Sequence, residues 1–175
     1  MIKDVKPGED DPLRLRIVNA AFKIWIDREL SSKYNKKSGS FRWKNKAKCN
    51  KFVGDVLKEA GVDTSVPGSY HVNKNYPIAG DYANPTKQQD FSIDQTVNMV
   101  DPNNPIVNTY HPPKMGDIIA FGLPTSEPGE DHVGIYLGDG IYISATTNIN
   151  YQQKDVVIKR VSKEYKRITY RSPGE

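Results

Sequence analysis

Few side chains in this sequence could do covalent chemistry. It holds one cysteine, Cys49, and three histidines, His71, His111 and His132. A lone cysteine excludes an intramolecular disulfide and leaves a structural zinc cluster without ligands. The histidines stand far apart without paired metal-ligand spacing, so neither a metal nor another cofactor is expected. What cysteine and histidine can do together is acyl chemistry. A thiolate attacks a carbonyl, and an imidazole takes the thiol proton and returns it to the leaving amine. Cys49 also fits a plainer part, as a small buried apolar residue. Against that, Lys48, Asn50 and Lys51 flank it, and the apolar stripe begins only at Phe52. His132 taken alone reads as readily as a packing histidine at a strand start. His71 and His111 fall in loops, with no regular element to hold them.

Asp11 before Pro12 predicts a helix start, a capping side chain followed by a ring that suits the first turn. Leu15, Val18, Phe22, Trp25 and Ile26 then recur at helical spacing, which predicts one amphipathic helix to about Leu30. Residues 31–48 are polar and lysine-rich and read as loop. A second helix is expected over 49–60, with Phe52, Val53, Val56, Leu57 and Ala60 as its buried stripe and Gly61 as its C-terminal cap. Cys49 would lie at the helix N-terminus, where the dipole stabilises an anion. Residues 62–114 are rich in Pro, Asn, Gly and Tyr and read as a long loop-rich insertion, with a short helix around 93–100. Strands are expected at 117–121, 132–137, 141–146, 155–161 and 165–171. Helices first and strands afterwards imply an α+β fold, with helices packed on a five- or six-stranded antiparallel sheet in a single domain spanning 1–175.

The turn Gly138-Asp139-Gly140 allows a two-residue or a three-residue loop. Val133, Ile135 and Leu137 make one face of the first strand, and Ile141, Ile143 and Ala145 one face of the second. These faces coincide if Leu137 pairs with Ile141, which predicts the three-residue loop. A one-residue slip would turn Tyr142, Ser144 and Thr146 inward. His132 then shares the opposite, polar face with Tyr142, Ser144 and Thr146. Thr146 lies directly across from it, and Ser144 on the diagonal.

The segment Cys49-Asn50-Lys51-Phe52-Val53, continuing to Leu57-Lys58-Glu59-Ala60-Gly61, resembles the nucleophile helix of the NlpC-type papain-like cell-wall peptidases. Pro113-Lys114-Met115-Gly116-Asp117-Ile118-Ile119-Ala120-Phe121 is similar to that family's Gly-Asp strand. Asp131-His132-Val133-Gly134-Ile135-Tyr136-Leu137-Gly138 is similar to its histidine strand, with Ile141 to Ala145 following, and Arg167-Ile168-Thr169-Tyr170-Arg171 resembles its closing strand. Together these segments span residues 41–171 in the family's order.

The resemblance implies a papain-like fold and hydrolysis of an amide in peptidoglycan stems or cross-links. Cys49 would form a thioester, His132 would act as base and then acid, and the Cys49 backbone amide would help hold the oxyanion. Trp43 and Asp131 would line the substrate groove. Ser144 takes the third catalytic position, usually His, Asn or Gln, and is a shorter orienter, with Thr146 or a water as alternatives. Phe41 stands where many relatives carry a tyrosine. The same scaffold also serves thioester acyl transfer and binding modules that have lost activity.

Lys and Arg number 25 against 21 Asp and Glu, a net charge of +4, too small and scattered to imply nucleic acid as a partner. No apolar run is long enough to insert in a membrane. The first ten residues lack the apolar core of a secretory signal, so synthesis in the cytosol is expected. With no wall-binding domain in view, the architecture resembles amidase effectors delivered by type VI secretion. That implies export by a route without a cleaved signal, a periplasmic target and a cognate immunity protein.

Overall fold

The first helix, α1 (Leu13–Ile26), opens on Pro12, whose carbonyl accepts from the amides of Leu15 and Arg16 at 2.9 and 3.1 Å. The proline therefore caps the helix rather than occupying its first turn, so the helix starts one residue later than the sequence predicts. The computed structural model describes residues 12–34, 48–62, 82, 96–100, 113–121, 132–146, 155–161 and 168–172. Asp11, Phe41, Trp43, His71, His111 and Asp131 lie outside the described residues, as does most of the 62–114 insertion.

The expected single helix to Leu30 is interrupted. Asp27 turns extended at φ −77° and ψ 110°, and its carboxylate accepts from Glu29 N and Leu30 N at 2.8 and 3.0 Å, starting α2 (Arg28–Ser32). A short acidic side chain that can bond to nearby amides competes with helix continuation, and here it wins. The buried face of α1 also differs from the expected stripe. Ile17, Val18, Ala20, Ala21 and Ile24 are buried, whereas Leu15 is exposed and Ile26 is 60% exposed. The two alanines turn inward where α1 packs against α3, because small side chains let helices approach.

Helix α3 (Cys49–Glu59) buries Phe52, Val53, Val56 and Leu57 as the pattern predicts, with Ala60 beside them. It ends in a Schellman motif. Gly61 sits at φ +83°, its amide bonds Lys58 O at 3.0 Å, and Val62 N bonds Leu57 O at 2.9 Å. Tyr34, in a stretch read as polar loop, is buried edge-on to Phe52 at 5.5 Å and donates its hydroxyl to Asp55 at 2.7 Å.

The sheet has six antiparallel strands: β1 (Thr96–Val100), β2 (Ile118–Phe121), β3 (His132–Gly138), β4 (Ile141–Ala145), β5 (Val156–Arg160) and β6 (Ile168–Ser172), in the order β1-β6-β2-β3-β4-β5. The architecture is α+β, as expected. The short helix expected around 93–100 is instead the edge strand β1, paired along β6 from Thr96↔Ser172 to Val100↔Ile168. Its Thr96-Val97-Asn98-Met99-Val100 sequence carries the β-branched residues that favour a pleated ladder once a partner strand exists. One sheet face, bearing Ile118, Ala120, Val133, Ile135, Ile143, Ala145 and Val156, packs into a core with α1 and α3.

The β3–β4 hairpin keeps the predicted faces by a different device. Ile135↔Ile143 and Tyr136↔Tyr142 pair as expected, but Ile141 pairs with Gly138 rather than Leu137, across a bulge. Asp139 (φ 50°) and Gly140 (φ 69°) form a two-residue turn, and Gly138 (φ 96°) absorbs the extra residue. The hydrophobic alternation fixes the faces, and the bulge reconciles them with the tighter turn.

Two arginines of α1 tie the layers together. Arg14 donates from Nη1 to Asp117 Oδ1 at 2.6 Å and to Met115 O at 3.1 Å. Asp117 Oδ2 accepts from Lys114 N at 2.8 Å, while its own backbone carbonyl accepts from Tyr136 N at 2.8 Å. Burial pushes the Asp117 carboxyl up, and these donors oppose it. Arg16 reaches the end of α3, donating to Ala60 O at 2.7 Å. Gly116, at φ 91°, lets the chain pass α1, since a Cβ there would stand 3.0 Å from Arg14 Cα. Asp117→Ala strands a half-buried guanidinium and should cost about 3 kcal/mol in urea unfolding. Ile26→Ala, at an exposed site, should change stability by less than about 0.5 kcal/mol.

Candidate active site

The face of the sheet turned away from α1 and α3 carries a second cluster: Ile119, Phe121, Tyr136, Tyr142, Ile168 and Tyr170, all buried. This corrects the expectation of a polar face. The alternation predicts which side chains share that face, but not that they are largely aromatic and covered. His132, the first residue of β3 and partner of the last residue of β2, stands at the extreme end of this face, where the sheet stops. Its ring stacks on Phe121 at 6.1 Å and meets the edge of Tyr142 at 6.0 Å.

Ser144 is 0% exposed. Its Oγ lies 2.6 Å from His132 Nε2 and 3.4 Å from Ala145 O. When the serine hydrogen goes to Ala145 O, which can only accept, Oγ accepts from Nε2–H. Nδ1 then carries the lone pair, which makes it the basic nitrogen of the ring. Burial, and after it the charge of Lys159, pull the imidazole down to about 4 from its ordinary 6.5. His132 is therefore neutral at neutral pH, as a general base must be.

Gly134 is what permits the serine contact. A Cβ built there would fall 2.6 Å from Ile143 O and 2.9 Å from Ser144 Cβ, pushing β4 off β3. The glycine serves close approach of two backbones.

Cys49 is the first residue of α3, 6% exposed and packed at the margin of the helix-side core. The ends of the elements show where it lies relative to His132. Arg14 and Arg16 hold the C-terminal end of α3 near Asp117, which bonds Tyr136 towards the end of β3. At the other end, Lys48 interacts electrostatically with Asp155, whose carbonyl accepts from Thr146 N at 3.0 Å. Continued one residue past the end of β4, the Ile135↔Ile143 register brings Thr146 across from His132. Helix α3 therefore runs along β3 in the same sense, and Cys49 and His132 occupy the same end of the helix–sheet pair. Lys48, which caps α3 without a side-chain cap bond, is only 1% exposed, and burial with the neighbouring Lys51 lowers its pKa.

The family model for NlpC/P60 proteins matches residues 38–171, most of the chain. The chain belongs to the NlpC/P60 family. No curated protein matches it. Membership makes cell-wall peptidase or amidase chemistry the general activity of its relatives, and the α+β architecture agrees with the family fold.

Among the described residues the fold brings His132 and Ser144 into contact and sets Cys49 at the same end. It also adds groups that sequence reasoning missed: the Phe121 and Tyr142 rings, and Lys159 on β5. Lys159 pairs with Tyr142 across the ladder. The alternation of β5 would have exposed Lys159 only with the β4–β5 register known, and residues 146–155 between the strands leave that register open. Among the described residues no group of three His, Cys, Asp or Glu could hold a metal ion, and no helix is long and apolar enough to cross a membrane.

An unfolded imidazole gains its proton near 6.5 while the folded His132 stays neutral to about 4. Stability should therefore fall as pH drops through that window and level off below it. Urea unfolding of wild type and His132→Gln from pH 7.5 to 3.5 should show a flatter profile for the variant. Gly134→Ala should lower the melting temperature by several degrees, a core overpacking of about 1–3 kcal/mol.

Proposed function

We propose that this protein is a cysteine amidase that hydrolyses amide bonds in the peptides of peptidoglycan, with Cys49 as nucleophile and His132 as base. The observation that carries the reading is the His132–Ser144 contact through Nε2, at the end of the sheet where α3 begins with Cys49. The thiol passes its proton to Nδ1 and attacks the amide carbonyl. The tetrahedral oxyanion forms at the start of α3, where backbone N–H groups without intrahelical partners stabilise negative charge. The imidazolium then returns its proton to the leaving amine, giving a thioester and a free amine. Water, deprotonated by the same nitrogen, cleaves the thioester to a carboxylate and regenerates the thiol.

Ser144 acts on the imidazole rather than on the substrate, by holding Nε2–H. Trp43 and Asp131 are proposed to line the groove on the same grounds of family resemblance. The proposal extends to the biological setting that the resemblance implies, an interbacterial effector that acts in a target periplasm and is neutralised by an immunity protein in the producing cell. Growth arrest by the protein directed to the periplasm, with none from Cys49→Ala, would support that extension. Equal growth of both strains would count against it.

The decisive experiment is digestion of Gram-negative peptidoglycan by wild type and Cys49→Ala, with products resolved by mass. New peptide fragments from the wild type alone identify the enzyme and the bond. No cleavage by a folded wild type overturns the hydrolase reading for this substrate and leaves acyl transfer or binding. Ser144→Ala, which loses one hydrogen bond worth about 1 kcal/mol, should lower kcat roughly fivefold with KM unchanged.

A further inference from the structure

The closing strand β6 brings polar side chains to a face that its neighbours fill with aliphatic ones. Strand pairing sets Thr169 level with Ala120 and Val133, and Arg171 level with Ile118 and Ile135, so both point to the side of α1 and α3. Those helices pack mainly on β3, β4 and β5, yet Thr169 and Arg171 are each only 1% exposed. What meets Arg171 there is Tyr82. It is fully buried, belongs to the helix-side core, and its backbone carbonyl accepts from Arg171 Nε at 2.7 Å. Burying a guanidinium and burying a peptide carbonyl are both costly, and this bond satisfies one with the other. Being charge-assisted and aimed at one oxygen, it also fixes position, which apolar packing does not.

Of residues 63–112 the structure describes Tyr82 and β1, and β6 holds both. The backbone of Arg171 lies in the ladder opposite Val97 while its side chain reaches Tyr82. Strand β1 in turn leads to the site. Val100, its last residue, shares a row with Ile168, Phe121 and His132. At about 4.8 Å per strand the row sets Val100 roughly 14 Å from His132, the span of four or five residues of extended peptide.

We propose that Arg171 is a positioning residue: by holding Tyr82 it seats the 62–114 insertion on the closing strand, and so fixes β1 at the rim of the site where the substrate peptide binds. The inference rests on the amidase reading and deepens it by naming a residue, remote from the chemistry, on which substrate binding depends. The His132–Ser144 contact lies on the opposite face and at the opposite end of the sheet. Loss of the guanidinium therefore weakens substrate binding and leaves the chemical step at its rate.

The test compares wild type with Arg171→Met, Arg171→Lys and Tyr82→Ala, by amide hydrogen exchange and by kinetics on a soluble peptidoglycan fragment. In Arg171→Met, exchange of the β1 amides should accelerate at least tenfold while α3 and β3 keep their protection, as expected of a locally released segment. Tyr82→Ala, which leaves the guanidinium in place and removes the buried ring, should do the same. Arg171→Lys keeps a cation and a donor and should restore most of the protection. KM should rise at least tenfold in Arg171→Met with kcat within twofold of wild type, and return most of the way in Arg171→Lys. Unchanged exchange in β1 would overturn the proposal. So would acceleration spread equally over α3 and β3 in both Arg171→Met and Tyr82→Ala, or a fall in kcat with KM unchanged. Exchange needs no turnover, so cleavage by wild type with β1 unaffected in the variants rejects the anchor alone. Release of β1 in the variants of a protein that cleaves nothing rejects the amidase reading and its KM consequence, and the anchor stands.

Discussion

The direction of α3 along β3 is the constraint on which the site depends, and α1 sets it. Arg14 grips Asp117 at the entry to β2, and Arg16, two residues further along the same helix, grips the Ala60 carbonyl at the end of α3. A helix packed on a sheet by apolar contacts alone could slide or reverse at small cost, because burial is not directional. Charge-assisted hydrogen bonds to particular oxygens remove that freedom. With the C-terminal end of α3 held beside the Asp117–Tyr136 corner, its first turn falls at the end of the sheet where His132, Thr146 and Asp155 lie. The Gly-Asp pair at residues 116 and 117 thus acts on the site from its far end.

The two faces of the sheet divide the work. The helix-side face is aliphatic and anchors α1 and α3. The other is aromatic, and its rings hold the imidazole by stacking beside its hydrogen bond to Ser144. That choice has an electrostatic consequence. An aromatic, covered surface removes water from His132 and keeps it neutral, and Lys159 pushes in the same direction. A serine suffices as the Nε2 partner in such a setting, because a neutral ring needs orientation more than charge compensation. A carboxylate there would raise the proton affinity that the rest of the face keeps low.

Much of this was legible in the residues. Phe52, Val53, Val56 and Leu57 declare their helix by spacing, and Gly61 declares its end, because a positive φ there asks for glycine. The alternation in Val133, Ile135, Ile143 and Ala145 fixes which side chains of the hairpin share a face, and so pairs His132 with Ser144 before any coordinates exist. The local patterns misled where a longer-range partner or a competing short bond decided the outcome. The Asp27 carboxylate broke α1, and the pairing of β1 with β6 drew residues 96–100 into a strand.

The sequence by itself determined the hydrophobic periodicities, the chemical types available for catalysis, and the order of segments that marks an NlpC/P60 domain. All of these are properties of residues near one another along the chain. Only the tertiary structure decided that burial keeps His132 neutral, that Ser144 meets its Nε2, and that Lys159 stands on its face. Those depend on burial and on the registers of β3 with β4 and β4 with β5. A pKa is set by what surrounds a group in space, and a register joined through a long loop carries no local signature. For that reason Cys49 and His132 could be named as candidates from the sequence, while the protonation state of His132 could not.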